Sequence, residues 1–295
     1  MRVDGTIGSV SLFSLLHGGK KMRERIESPA NKKIKLAASL HSRKHREKEG
    51  LFLAEGIRLA EMAVESGWET VFCLCTAALV SQPRGSRLLA RMEACSIPVY
   101  ETAENVYRKA SGTDTPQGIL LVMKQKKSRL SELAPAENPL YVVLDGVQDP
   151  GNAGTIIRTA DAVGADGVIL LKGSADAFSE KTVRSTMGSL FHLPICPDVI
   201  QEELQAFFKE RKVPLLATAL DETAKPYFKQ DFTGRCAIAF GNEGSGVSQA
   251  LLANAVRTYI PMYGKAESLN VGVSAAVVLY EAVRQRKLEF QQQPQ

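Results

Sequence analysis

The chain has 295 residues, long enough for two domains at roughly 100–200 residues each. Apolar residues make up 44 % and charged residues 23 %, a globular composition, and no run of about 18 uncharged apolar residues offers a membrane span. Five scattered cysteines (Cys73, Cys75, Cys95, Cys196, Cys236) form no CxxC pair and have no histidines at ligand spacing, which argues against a disulfide framework or a zinc site and for a reducing, cytoplasmic setting.

The first twenty residues carry little information. Ser9 to Leu16 is a short apolar patch, but Asp4 precedes it and no small-residue cleavage site follows, so it does not read as a signal or transit peptide. Met22 is an alternative start, because basic, structured sequence begins there. Residues 1–30 are expected to be a disordered extension. Between Lys20 and Lys48 eleven bases face three acids, a net +8 in a chain whose total is +5, so the remainder sums to −3. Such a block is the footprint of a polyanion binder, and a solvated helix face is the blander reading.

From Asn31 a first α/β unit is predicted over 31–125. Leu51 to Gly56 reads as a strand leading into a helix over 57–66. Strands at Thr70–Cys75, Ile97–Tyr100 and Gly118–Met123 follow. The polar, proline-containing stretch 126–138 reads as a linker. Over 139–288 apolar runs at Leu140–Leu144, Gly167–Leu171, Pro214–Thr218, Cys236–Phe240 and Thr258–Ile260 suit central strands of a parallel sheet covered on both faces. Helices are predicted over 155–163, 180–190 behind an N-cap Ser179, 199–211, and 269–287 behind an N-cap Ser268, with a tail at 289–295.

Three loops at the carboxyl ends of those strands concentrate glycine with Asn, Asp, Glu or Ser: 145–154, 241–246 and 261–270. One such loop serves turn geometry, whereas three in one domain favour a binding site. Neither GxGxxG nor GxxxxGK[ST] occurs, so a dinucleotide-dependent oxidoreductase loses its fingerprint. Asp149, Glu243 and Glu267 lie in these loops, poor company for a pyrophosphate and tolerable beside a cation such as a sulfonium. His192, between Phe191 and Leu193, reads as a core or strand-edge residue.

The second block resembles the SpoU (TrmH-type) RNA ribose 2′-O-methyltransferases of the SPOUT superfamily. Three ordered stretches carry the resemblance: Asp145-Gly-Val-Gln-Asp-Pro-Gly-Asn-Ala-Gly-Thr-Ile-Ile-Arg-Thr-Ala160, Ala239-Phe-Gly-Asn-Glu-Gly-Ser-Gly246, and Ile260-Pro-Met through Ser268-Leu-Asn-Val-Gly-Val-Ser274. The first block resembles the L30e-like substrate-binding domain, through Arg43-Lys44, Phe52 to Gly56 and Thr115-Pro-Gln-Gly118. The resemblance implies an α/β architecture: an L30e-like domain, then a parallel-sheet SPOUT domain ending in a trefoil knot. It also implies a homodimer with the active site completed near the subunit interface.

For the site, the resemblance implies S-adenosylmethionine held largely by backbone at Thr218, Ala219, Gly241, Ile260 and Leu269, and no metal. It implies a polar set of Asn152, Arg158, Glu243, Ser268 and Asn270 around the reacting ribose. Arginine keeps its proton in proteins, so Arg158 is read as a phosphate clamp and stabiliser of the forming alkoxide rather than a literal base. Asn152 as a turn residue, Ser268 as a helix cap and Glu243 as a partner of loop amides are the structural alternatives. Gly272 and Ser274 stand where the family often has Ser and Ala, and Gly272 is expected to loosen the first turns of its helix. Lys32, Lys33, Lys35, Arg43, Lys44 and Arg46 would grip RNA phosphates, which gives affinity with little sequence information. A separate RNA-binding domain favours rRNA over tRNA. A non-catalytic RNA-binding factor with a degenerate second domain is the alternative, and the intact polar set speaks against it.

Overall fold

A computed structural model describes residues 23–292, so the Ser9–Leu16 patch, Met22, Lys20, Lys21 and the last three residues lie outside the described residues. The first unit contains β1 (Glu24–Ile26), α1 (Lys32–Ser39), α2 (Arg43–Glu49), β2 (Leu51–Glu55), α3 (Ile57–Ser66), β3 (Thr70–Thr76), α4 (Ala77–Val80), α5 (Pro83–Ala94), β4 (Val99–Thr102), α6 (Glu104–Ala110) and β5 (Ile119–Lys124). Its five-stranded sheet has the order β1-β4-β3-β5-β2, with β5 antiparallel to both neighbours. Strand β1 is a correction to the expected extension over 1–30: Glu24 to Ile26 pair in parallel with Tyr100 to Thr102, and Ile26 is buried.

The second unit contains β6 (Leu140–Asp145), α7 (Pro150–Ala162), β7 (Gly167–Leu171), α8 (Glu180–Ser185), β8 (Ile195–Val199), α9 (Gln201–Arg211), β9 (Leu215–Thr218), β10 (Lys225–Pro226), β11 (Cys236–Gly241), α10 (Gln249–Leu252), β12 (Val256–Tyr259) and α11 (Val271–Gln292). Its seven strands run in the order β10-β12-β9-β11-β6-β7-β8, and every pairing is parallel. Strands β6, β7 and β11 are covered on both faces, which is why their sequences are almost unbroken apolar runs. Helix α9 covers one face through Phe207 and Phe208 against Tyr141. On the other face α7 and α11 pack Ile156, Ile157, Val278 and Leu279.

Three boundaries differ from the sequence reading. Helix α7 begins five residues early, at Pro150, because the Asp149 side chain accepts from the Asn152 amide and proline suits the first helical turn. The stretch expected over 180–190 breaks after Ser185, where Met187 (φ 52°) and Gly188 (φ 99°) turn left-handed. Helix α11 continues to Gln292, through the start of the expected tail. The expected linker is also pinned: Leu133 is buried, and Ser128 donates to the Ile195 carbonyl.

The two units share one apolar core. Phe52 of β2 meets Phe178 edge-on at 5.3 Å, and Trp68 meets Phe191 at 5.2 Å. Each fully buried side chain of this size contributes about 1.5–3 kcal/mol. Arg46 seals the same boundary, donating to Asp176 at 2.7 Å and to the Leu40 and His41 carbonyls. That position fixes how the first unit faces the loops of the second.

Candidate active site

The three glycine-rich loops follow β6, β11 and β12 and meet at the carboxyl end of the sheet, the end at which parallel α/β sheets bind ligands. The 241–246 and 261–270 loops, with the chain leaving β9, enclose a cleft of about 590 Å³, lined by Thr218, Ala219, Gly241, Glu243, Ile260, Ser268, Leu269 and Asn270 among others. All five residues expected to hold the cofactor are therefore brought together, with three of the five expected in the polar set. Thr218 spends its hydroxyl on the Ala239 carbonyl at 3.2 Å, so its contribution to the cleft is backbone. Gly241 has to be glycine, since a Cβ there would overlap the Gly246 and Val247 backbone where the loop folds back on β11.

Asn152 stands at the cleft edge. Its amide donates to Glu243 Oε1 at 2.8 Å, and its oxygen accepts from the Asn270 side chain at 2.9 Å. Glu243 further accepts from the Gln148 and Asp149 backbone amides, each at 3.3 Å. Partial burial works against the Glu243 carboxylate, yet the Asn152 amide and the backbone amides overcome it and hold the group below the usual carboxylate range. Glu243 thus ties the 241–246 loop to the 145–154 loop, and Asn152 carries the link on to Asn270 in the third. The structural alternative for Glu243, a partner of loop amides, is present in the same geometry.

Arg158 is not part of this cleft's lining. It lies exposed on α7, and its guanidinium makes no hydrogen bond or ion pair among the described residues. Six residues separate it from Asn152, which at 3.6 per turn puts the two side chains about 120° apart around the helix and about 9 Å along it. A single α7 cannot turn both into one cleft. Ser268 lines the cleft but does not cap α11: Asn270 does, accepting from the Gly272 amide at 2.9 Å and the Val273 amide at 3.3 Å. Gly272 sits in that capped first turn, and a Cβ there would come within 3.1 Å of Thr155, so its bareness lets α11 approach α7 rather than loosening it.

Sequence reasoning missed the groups that brace the loops. Asp145 accepts from the Ser248 amide at 2.7 Å, and Asn242 ties its own loop to the Gly146 carbonyl at 2.9 Å. Lys181 pairs with Asp149 at 2.8 Å and holds that carboxyl below its usual range. Asp145, Asn242 and Asp149 all stood inside the loops already singled out, whereas Lys181 had no sequence signal. Among the described residues no cluster of His, Cys, Asp and Glu could hold a metal, and no helix is long and apolar enough to cross a membrane.

The basic residues of the first unit divide. Lys32, Lys35 and Lys44 are exposed without an ion-pair partner among the described residues. Lys33 lies over the Tyr100 ring at 4.3 Å. Arg43 is shared between Glu47 and Asp198. Arg46 corrects the expectation: it is only 4 % exposed, and its donors are committed to Asp176 and two carbonyls.

The fold and the cleft define a two-domain α/β protein with a parallel-sheet methyltransferase unit. It resembles the solved structure of an S-adenosylmethionine-bound rRNA methyltransferase from Sinorhizobium meliloti, with a TM-score of 0.79 and 34 % identity over 88 % of this chain and 97 % of that one. A second similar structure is the SpoU methyltransferase AviRb from Streptomyces viridochromogenes in complex with the cofactor, at TM-score 0.78 and 31 % identity over 87 % and 98 %. The 23S rRNA (guanosine(2553)-2′-O)-methyltransferase RlmP of Bacillus subtilis is 40 % identical over 87 % of this chain and 98 % of its own length. Residues 139–280 match the SpoU rRNA methylase family, and residues 31–121 match the MRM3-like substrate-binding domain. The chain belongs to the SpoU rRNA methylase family.

Proposed function

We propose that this protein is an S-adenosylmethionine-dependent methyltransferase acting on a ribose 2′-hydroxyl of ribosomal RNA in the cytoplasm. The observation that carries the reading is the cleft itself: Thr218, Ala219, Gly241, Ile260 and Leu269 converge on one space of about 590 Å³, within the range for a small-molecule site. Its donor chemistry fits the cofactor. Backbone at the ends of β9, β11 and β12 supplies the polar contacts, and Glu243 and Glu267 place negative charge beside a ligand that carries positive charge.

When bound, S-adenosylmethionine supplies an activated methyl group. Glu243, Asn152 and Asn270 hold the loops in register, so the acceptor oxygen meets a preformed cleft, and such orientation is worth up to about 7–11 kcal/mol of barrier. Arg158 grips the phosphate beside the target ribose, and its charge stabilises the negative charge that develops on the attacking oxygen. Ser268 adds a hydroxyl at the mouth of the cleft.

The same reading makes the protein a homodimer. Its support is the exposed side of α11, where Val273 and Tyr280 stand 49 % and 54 % exposed, together with the exposed Arg158 of α7 outside its own cleft, a combination that suits an interface bringing Arg158 to the partner's cleft. It also has the chain between β12 and α11 pass through the loop after β11 as a trefoil knot. Lys32, Lys35 and Lys44 provide the long-range attraction for RNA.

The decisive experiment is Arg158→Ala with RNA from cells lacking the gene. Methyl transfer should collapse by at least about a hundredfold, as when an oxyanion donor is removed, with cofactor affinity by calorimetry intact. Undiminished turnover refutes the role of Arg158, and absence of cofactor binding by the unaltered protein refutes the function. Mapping ribose methylation in rRNA with and without the gene identifies the nucleotide.

A further inference from the structure

A second concavity of about 440 Å³ opens between the two units. Its walls come from both: Gly56, Arg58 and Leu59 at the start of α3, the 112–117 loop of the first unit, and Arg184 with Met187 of the second. Arg58 and Arg184 are exposed, and neither guanidinium has a hydrogen bond or ion pair among the described residues, although most arginines around them are paired. Two free guanidiniums from different domains on one cleft are a phosphate-binding arrangement.

The remaining wall is built rather than incidental. Glu55 keeps its negative charge at this wall, but its oxygens are turned to Ser111 at 2.6 Å, Thr113 at 3.1 Å and Tyr107 at 3.2 Å, where they shape the loop, and the two guanidiniums outweigh it. Gln117 uses its side-chain oxygen on the Ile57 amide at 3.0 Å, which leaves its NH2 group to donate. The Asp114 carboxylate stands exposed in the cleft as an acceptor for base amino groups. Half-buried Met187, backed by the buried Leu59, supplies an apolar floor against which a base can lie. Met187 holds its left-handed φ of 52° beside Gly188, where a Cβ would overlap Met62 of α3, so this wall is locked against the first unit.

Position ties the cleft to the active site. Arg184 lies on α8, which packs directly on α7: a Cβ on Gly154 would come within 2.7 Å of the Thr182 carbonyl. Lys181 of α8 also bonds Asp149, the cap of α7. Packed helices lie about 8–10 Å apart. The cleft is therefore one helix away from Asn152 and Arg158, a reach that a few nucleotides of single strand cover.

We propose that this interdomain cleft is a nucleotide subsite for the RNA strand flanking the methylated residue, with Arg58 and Arg184 on its phosphate and an unpaired base held against Leu59 and Met187. The proposal rests on the reading that the protein acts on RNA. Single-stranded segments suit it because their bases are free to leave the stack and be read at their edges.

The test compares the full-length protein with Arg58→Ala, Arg184→Ala and the double variant, using rRNA from cells lacking the gene. Neither side chain is buried or paired, so folding is expected to persist. The double variant should bind this RNA at least about tenfold more weakly, and the slope of log affinity against log salt should fall by about 1.4, two contacts at roughly 0.7 each. Cofactor affinity should not change, and Arg58→Lys with Arg184→Lys should restore most of the RNA affinity. Unchanged RNA affinity and salt slope in the double alanine variant overturn the subsite. A free nucleoside monophosphate that binds the cleft and is lost in that variant, with RNA affinity unchanged, also overturns it in favour of a small-molecule site. If the unaltered protein binds this RNA but transfers no methyl group to it, the function proposed above fails while these binding arms still decide the cleft.

Discussion

Asn152 and Asn270, 118 residues apart in the chain, are joined by a 2.9 Å hydrogen bond in which the Asn270 amide donates to the Asn152 side-chain oxygen. Because Asn152 also donates to Glu243, one side chain couples the loops after β6, β11 and β12. Asn152→Ala removes both links and strips the Glu243 carboxylate of its shortest donor. Hydrogen bonds to charged groups are worth about 1.5–3 kcal/mol, so turnover should fall roughly ten- to a hundredfold. The pKa of Glu243, held down partly by this bond, should rise, moving the acid limb of the pH–rate profile upward. A variant with unchanged turnover and an unmoved acid limb would show that the coupling has no role.

The start of α11 gives a contrast between neighbours. Asn270 accepts from two amides of the first turn, while the Ser268 side chain makes no hydrogen bond among the described residues. Asn270→Ala should therefore cost about 1 kcal/mol of folding stability, and Ser268→Ala should stay within about 0.5 kcal/mol. Urea titrations of both variants measure this. Equal losses would mean that the capping assignment is wrong.

Arg46 and Lys44, two residues apart on α2, should separate stability from RNA affinity. Arg46 is buried against Asp176 across the domain boundary, whereas Lys44 is exposed. Arg46→Ala leaves a carboxylate without its partner, at a cost of about 3 kcal/mol, with weaker RNA binding only as a consequence of lost structure. Lys44→Ala should leave the unfolding midpoint alone and weaken RNA binding in low salt. Denaturation and filter binding on both variants check the pair.

Arg46 also shows where the sequence stops being readable. Along the chain it is one base in a run of bases, and only its Asp176 partner, 130 residues away, sets it apart. The central strands were legible because burial on both faces leaves an unbroken apolar run, as in Leu140 to Leu144. The edge strands β8 and β1 were not: β8 carries Pro197 and Asp198, and β1 has only Ile26 buried, whereas the edge strand β2, covered by the second unit, was. Loop positions of the site were legible from glycine and Asn, but their mutual contacts were not. Nothing local tells that Asn270 rather than Ser268 caps α11, since both are good cap residues. The separation of Arg158 from Asn152 was available from helical periodicity alone, once α7 was known to begin at Pro150.

His41 makes the domain boundary sensitive to pH. Its Nδ1 lies 3.0 Å from Glu180 Oε2 and its Nε2 lies 3.1 Å from the Ala110 carbonyl, so both ring nitrogens face acceptors, and only the imidazolium can donate to both. Glu180 is the main cause, partial burial opposes it, and Ala110 and Glu55 add to it; together they raise the pKa of His41 above 6.5. A raised folded pKa means that the stabilisation is complete below about pH 6.5 and is lost as pH climbs through the higher folded value. The His41 side chain is about one-third exposed, so solvent screening limits the effect to the order of 0.5–1 kcal/mol. His41→Gln should thus be less stable than the unaltered protein at about pH 6 and should match it more closely at about pH 9. Urea titrations of both proteins at the two pH values measure the difference. A gap that stays constant, or widens with rising pH, would mean that the ring is not protonated against Glu180 in the folded protein.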